Sequence, residues 1–335
     1  MNPSGFGRYA GGLLALAICA ACAGGSAVPP STATFNARSV GRALLVNGRL
    51  VTAARLTSLP TYASIVPDRH AKAKDYEYIN NYYGTYSTIF DYPKSDKQIG
   101  TITGVGGQGC TNVLYGYGKK VFWIVQSHTE INEYLAPQKL IKALSDSVGM
   151  PSSCAMNTSG DLAVGILAGS GSGDVVIYKN ASGSGTVMST PLGKEYFDGY
   201  DKQGNLFVDG FDGGYNFVLA ELPKGARTFQ KITTSNTVTF PGSVQWDGTY
   251  LAVTDQLTNE IYRYAVGGKH ATLKGIVRLT NAGDCAQTWI VTSLVYCGDA
   301  GNNDGEVFNY PAGGRPAAVL TGIFDLPLGV TVTKK

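Results

Sequence analysis

A run of β-branched or aromatic residues ending in tyrosine, then proline or a small residue, then lysine or glycine, recurs six times with small variations. It reads TIFDYPK (88–94), EINEYLAP (130–137), DVVIYKNASG (174–183), FVLAELPKG (217–225), EIYRYAVGGK (260–269) and EVFNYPAGG (306–314). Anchored on Tyr92, Tyr134, Tyr178, Leu222, Tyr264 and Tyr310, the spacings are 42, 44, 44, 42 and 46 residues. Before each of the last five comes a second apolar phrase: KKVFWIVQ (119–126), GDLAVGIL (160–167), GNLFVDG (204–210), TYLAVTD (249–255) and SLVYCGD (293–299). A fixed period of this size requires an architecture of stacked or radially packed copies.

Each unit holds four short strand-like runs, and no stretch has a sustained helical period. Six such units predict an all-β, six-bladed β-propeller with four-stranded blades. The physical reason for repetition is burial, because one twisted four-stranded sheet cannot cover its own apolar faces but neighbouring sheets cover one another. The first unit opens on DYEYINN (75–81), which matches a second strand, while LPLGVTVT (326–333) has the form of an inner strand. The C-terminal strand is therefore expected to complete blade one and close the ring, leaving no open edge. The expected domains are a signal peptide over 1–23, a linker over 24–60 and the propeller over 61–335.

Composition agrees with short strands and tight turns. Glycine is 44 of 335 residues, about 13%, and charged residues are only 15%, against roughly 25% in an average soluble domain. Lysine and arginine exceed aspartate and glutamate by 27 − 24 = 3, too little to argue for nucleic acid, whose binding rests on many phosphate contacts. A hydrophobic fraction of 44% with 20 tyrosines excludes a disordered chain.

Residues 11–23, GGLLALAICAACA, follow Arg8 and precede a stretch rich in Pro, Ser and Thr. This is the form of a secretory signal, too short to span a bilayer. Ala20-Ala21-Cys22 resembles the lipobox of bacterial lipoproteins, which implies lipidation of Cys22, although Cys19 stands where that pattern prefers leucine. Cleavage after Ala23 is the alternative. Either route predicts an extracytoplasmic protein of the periplasm or cell surface, touching the membrane only through a lipid anchor. Cys110, Cys154, Cys285 and Cys297 remain after the signal, an even number without CxxC spacing, which favours disulfides. In the propeller register Cys110 and Cys154 begin the inner strands of neighbouring blades, and Cys285 and Cys297 share one hairpin of blade six.

TYLAVTDQLTNEIYRY (249–264) resembles the repeat of NHL and SMP-30-like six-bladed propellers, through Asp255, Asn259 and Tyr264. GYDKQGNLFVDG (199–210) and the prolines before inner strands, Pro151, Pro241 and Pro327, fit the same repeat. The chain also looks like uncharacterised exported bacterial propellers with YPKG-type phrases. The resemblance implies a fold and leaves function open, since propellers host enzymes, binders and scaffolds alike.

Residues that carry chemistry are sparse. The three histidines are His70, His128 and His270, of which only His128, in QSHTE, falls at a strand connection suited to a site. Neither a GxSxG elbow nor a phosphate-cradling Gly-Lys-Ser/Thr loop occurs, and GSGSGD (169–174) reads as a hairpin turn. SMP-30-like lactonases and esterases hold a divalent ion with oxygen ligands, and the corresponding candidates here are Asp209, Asp255 and Asp299, with Asn80 at a similar strand end. Asp209 stands one position earlier than the other two, an offset that turns a strand side chain to the opposite face. The competing role for such aspartates is to hold turns through backbone amides. GDAGNNDGE (298–306) has the composition of a calcium loop and equally that of a tight hairpin. Tyr82, Tyr83 and Tyr86, within YEYINNYYGTY, are candidate contacts for a sugar or protein, the alternative being a packed blade edge. The reading is a non-catalytic binding module without a cofactor, for an unidentified protein or carbohydrate ligand. A lactonase- or esterase-like hydrolase using Ca²⁺ or another divalent ion is the alternative.

Overall fold

The computed structural model describes residues 43–46, 49–52, 75–82, 86–93, 96–105, 109–111, 121–125, 130–145, 148–169 and 173–333. Its contacts divide the chain into Met1–Thr61 and Tyr62–Lys335. The first unit contains an antiparallel hairpin, β1 (Ala43–Val46) with β2 (Arg49–Thr52). Cys22, His70, His128 and Tyr83 lie outside the described residues.

The second unit is all-β. β3 (Asp75–Asn81), β4 (Tyr86–Tyr92) and β5 (Gln98–Thr103) are followed by β6 (Gly109–Thr111), β7 (Val121–Val125), β8 (Glu130–Leu135) and β9 (Lys139–Ser145). Next come β10 (Gly149–Met156), β11 (Leu162–Gly169), β12 (Gly173–Tyr178) and β13 (Thr186–Leu192). β14 (Lys194–Tyr200), β15 (Leu206–Phe211), β16 (Phe217–Leu222) and β17 (Gln230–Thr234) lead into β18 (Pro241–Trp246), β19 (Leu251–Asp255), β20 (Glu260–Gly267) and β21 (His270–Arg278). β22 (Cys285–Val291), β23 (Leu294–Asp299), β24 (Asp304–Asn309), β25 (Gly313–Leu320) and β26 (Pro327–Val332) end the chain of strands.

These strands form a propeller-like arrangement of small sheets. Four are four-stranded: β26-β3-β4-β5, β6 to β9, β10 to β13 and β22 to β25. The repeat predicts two more of the same kind over residues 194–278. There the sheets are instead fused into one of eight strands, ordered β14-β15-β16-β17-β21-β20-β19-β18. The joint is a short parallel pairing of β17 with β21, Thr233 opposite His270 and Thr234 opposite Ala271. Among the described residues the other strand ladders of this unit are antiparallel, with isolated parallel bridges at Lys97–Thr321 and Leu279–Gly314. β26 pairs antiparallel with β3, from Pro327 opposite Asn81 to Val332 opposite Glu77.

Burial explains the sequence pattern. The second strands of the repeat, such as LAVTD (β19) and LFVDGF (β15), are buried at every position because both faces are covered by packed sheets. The fourth strands β9, β21 and β25 are exposed or half-buried at all but one or two positions and carry the alternating polar residues. Between sheets lie clusters such as Ala252, Ile261 and Val277 against Val295, Cys297 and Phe308. Burying a side chain the size of Phe308 contributes about 1.5–3 kcal/mol.

Asp, Asn and Gly recur at turns for a local reason. Asn157 Oδ1 accepts the amides of Ser159 and Asp161, and Asp201 Oδ1 those of Gln203 and Asn205. Such side-chain caps hold the turn between first and second strands. The first strands share a second device, a bulge near their start, at Pro151/Ser153, Glu195/Phe197, Pro241/Val244, Cys285/Thr288 and Pro327/Gly329. Three of these begin with proline, which lacks an N–H and is tolerated where a ladder is interrupted.

Both expected disulfides form. Cys110–Cys154 joins β6 to β10 across neighbouring sheets, and Cys285–Cys297 joins β22 to β23 within one sheet. Disulfides belong to chains that fold in an oxidising, extracytoplasmic environment. Among the described residues no helix is long and apolar enough to cross a membrane.

Candidate functional site

The four strand-end residues singled out from the sequence fall into two structural classes. Asp255 and Asp299 stand where the second strand turns into the third, opposite Glu260 and Asp304. Asp255 Oδ2 accepts the Thr239 amide at 2.6 Å, and its Oδ1 accepts Phe240 at 3.2 Å and Leu257 at 3.1 Å. Asp299 repeats the arrangement, accepting Gly283 at 2.6 Å and both Asp284 and Asn302 at 2.9 Å. Each carboxylate thus clamps the loop entering its sheet to its own hairpin turn through backbone amides.

Asn80 and Asp209 belong elsewhere. They lie just past the first-strand bulge, opposite Gly329 and Phe197. Asp209 is fully buried and neither of its oxygens has a hydrogen-bond partner. The amides of Phe197 and Gly242 lean towards it without reaching hydrogen-bond geometry, and they only partly offset the rise that burial imposes on its carboxyl. Beside it stand two acids that the sequence reading passed over, Glu195 and Asp198 on β14. Glu195 accepts the hydroxyls of Ser152 at 2.9 Å and Ser153 at 3.0 Å, from the neighbouring sheet. A Cβ at Gly165 would stand 1.9 Å from Glu195 Oε2, so only glycine leaves room for this carboxyl. Asp198 is buried with both oxygens unpartnered.

No described lysine, arginine or histidine forms an ion pair with these three acids. Desolvation, reinforced by Asp198, holds Glu195 well above the usual carboxylate range. Desolvation, reinforced by Glu195, does the same to Asp209. Burial pushes Asp198 up to about 8, against a smaller lowering by Ser153. The group therefore keeps protons at neutral pH that an exposed carboxylate would release. A sequence signal existed: Glu195 occupies the register position held by Pro151 in the preceding sheet, so KEYFDGY places charges where first strands otherwise have proline and small residues.

Other first strands are braced by polar side chains. Gln287 of β22 accepts the amides of Gly109 (3.1 Å) and Val330 (2.8 Å) and donates to the Gly109 carbonyl (2.8 Å). One side chain thereby ties β22, β26 and β6. Ser243, Thr254 and Thr288 form a triangle of hydroxyls 2.6–3.0 Å apart. Around Gly109, Asn80 and Thr331 remain buried with unpartnered side-chain atoms.

Elsewhere, Tyr86 is 1% exposed and packs into its sheet, offering no ring to a ligand. Tyr82 follows β3 directly, and its amide donates to the Leu326 carbonyl at 3.0 Å. His270 is exposed at the β20–β21 turn.

No protein-family model and no curated protein matches the sequence. Solved structures do match. One chain from the crystal structure of a nidogen/laminin complex superposes with a TM-score of 0.59 at 11% identity, covering 77% of this chain and 98% of that one. A functionally unknown protein from Desulfotomaculum acetoxidans DSM 771 superposes with a TM-score of 0.54 at 8% identity, covering 77% and 99%. At such identities the likeness is one of fold alone. The domain is a β-propeller. Its Asp255 and Asp299 build turns, while Asp198 and Asp209, beside Glu195, keep both side-chain oxygens unpartnered.

Proposed function

We propose that this chain is an exported, six-bladed propeller of the NHL/SMP-30-like kind that binds a protein or carbohydrate ligand without transforming it. The six-blade count rests on the first strands, which pack in unbroken succession: β26 on β6, then β10, β14, β18, β22 and back to β26. In this reading the eight-stranded sheet is two blades touching at their outer edges, and β26 closes the ring on β3. Export is supported by the disulfides and by the signal-like residues 11–23, with lipidated Cys22 as anchor.

The observation that carries the binding role is the cross-bracing by Gln287. The centre of the ring holds blades together, which leaves the loop faces for recognition. The nidogen/laminin structure is of a complex between proteins, which fits a protein partner here. A second reading, a metal-dependent lactonase or esterase, is favoured only by the unpartnered oxygens of Asp209. Those oxygens suit a hard cation, whereas both oxygens of Asp255 already accept backbone amides.

The test is to screen the processed, folded chain against a glycan library and cross-linked envelope proteins, and in parallel against lactones and aryl esters with added Ca²⁺, Mg²⁺, Mn²⁺ or Zn²⁺. Saturable binding without turnover is expected. Metal-dependent turnover that disappears in Asp209→Asn would replace this reading with the hydrolase.

A further inference from the structure

A second group of acids lies far along the chain from Glu195 and Asp198, at the turn end of the sheet β22 to β25. Asp299 and Asp304 are directly paired across the β23–β24 hairpin, and Glu306 is paired with Cys297 two residues further on. Asp284 enters from the residue before β22. Four carboxyl groups from one loop and two strands thus stand at one end of the sheet, with ligand oxygens of Asp299 and Glu306 within 4.8 Å of each other.

We propose that Asp284, Asp299, Asp304 and Glu306 form a divalent-cation site suited to calcium. Three observations support the assignment. The ligand atoms of Asp299 and Glu306, together with Cys285 Sγ, all lie within 4.8 Å of one another, the span across an ion whose oxygen ligands stand at about 2.4 Å. Cys285 is bound in the disulfide with Cys297, so the available donors are oxygens, which select a hard cation over zinc. Glu306 and Asp284 are 3% and 4% exposed, yet Glu306 Oε2 and Asp284 Oδ1 have no hydrogen-bond partner, and neither does Asp304 Oδ1.

The neighbouring repeat supplies a contrast. Glu260 occupies the register of Asp304, and there it accepts Arg278 Nε at 2.9 Å and the Tyr262 hydroxyl at 3.0 Å. No described cationic side chain pairs with Asp284, Asp299, Asp304 or Glu306. An external cation would fill that role. Asp299, held by backbone amides and by Asn302 Nδ2 at 3.0 Å, is the fixed anion that attracts it. The open oxygens of Asp284, Asp304 and Glu306 supply coordination. Without the ion, burial and the Asp299 charge raise Asp284 and Asp304 to about 7 and Glu306 to about 9. Binding therefore displaces protons.

The test is a calcium titration of the chelator-treated full chain, by calorimetry and by thermal unfolding. One ion per chain is expected, with a melting temperature that climbs with calcium concentration. Glu306→Gln and Asp304→Asn should each weaken binding at least tenfold. Both put a permanently neutral side chain where burial and the Asp299 charge disfavour an anion, so their metal-free melting temperatures should equal or exceed that of the parent, which separates loss of the site from loss of the fold. Asp212→Asn, at an exposed turn, should bind as the parent does. The proposal is overturned if calcium gives neither heat nor a thermal shift. It is equally overturned if binding survives Glu306→Gln and Asp304→Asn but is lost in Asp209→Asn, which would put the ion beside Glu195 and Asp198. The count of blades and the binding role stand apart from this outcome.

Discussion

Asp198 and Glu195 show what a carboxyl group does when burial removes its water and no cation replaces it. Asp198 titrates near 3.8 in an unfolded chain and near 8 in the folded one. Between those values the folded state holds a proton that the unfolded state has released, so stability falls as pH rises through this window. Each such group contributes a slope of at most about 1.4 kcal/mol per pH unit. The protein should therefore melt higher near pH 5 than near pH 9, and Asp198→Asn should flatten that dependence by supplying a permanently neutral side chain. Parallel melting-temperature curves for parent and variant across this range would contradict the assignment. At this scale the sequence was legible only in part. The turn roles of Asp255 and Asp299 followed from their neighbours, as did the offset of Asp209. Glu195 and Gln287 were missed, because their partners Ser152, Ser153, Gly109 and Val330 lie in other repeats and no local spacing points to them.

The elements followed the sequence closely where hydrogen bonds stay within one repeat. The tyrosine phrase ends third strands at β4 and β12 and lies within β20, and the apolar phrase forms second strands throughout. The joint between β17 and β21 was not legible. It depends on two outer edges meeting over two residues, and neither edge carries a distinguishing residue type. The cysteines were legible once the repeat placed them on adjacent strands. Their loops differ in length, 44 residues for Cys110–Cys154 and 12 for Cys285–Cys297. Closure entropy then predicts about 4 kcal/mol for the first and about 3 kcal/mol for the second. Denaturant unfolding of the two double Cys→Ala variants should show the larger loss for the bridge between sheets. The reverse order would mean that packing around Cys285 outweighs chain entropy.

For the whole molecule, the pairing of β26 with β3 matters most. Removal of residues 327–335 would leave β3 with an unpaired edge and uncover Ile79 and Tyr296, which pack in one cluster with Val330 and Val332. Such a truncation is expected to abolish cooperative unfolding, and a sharp thermal transition in the truncated chain would refute that. Strands 250 residues apart must meet before this sheet is complete, and such distant contacts slow folding. The order of synthesis adds a further effect. Asp75–Asn81 leaves the ribosome long before Pro327–Val332 exists, so the nascent chain has no way to finish its first sheet early. Pro327–Val332 therefore acts as the latch of the sheet that Asp75–Asn81 begins, and that sheet stays one strand short until the latch engages.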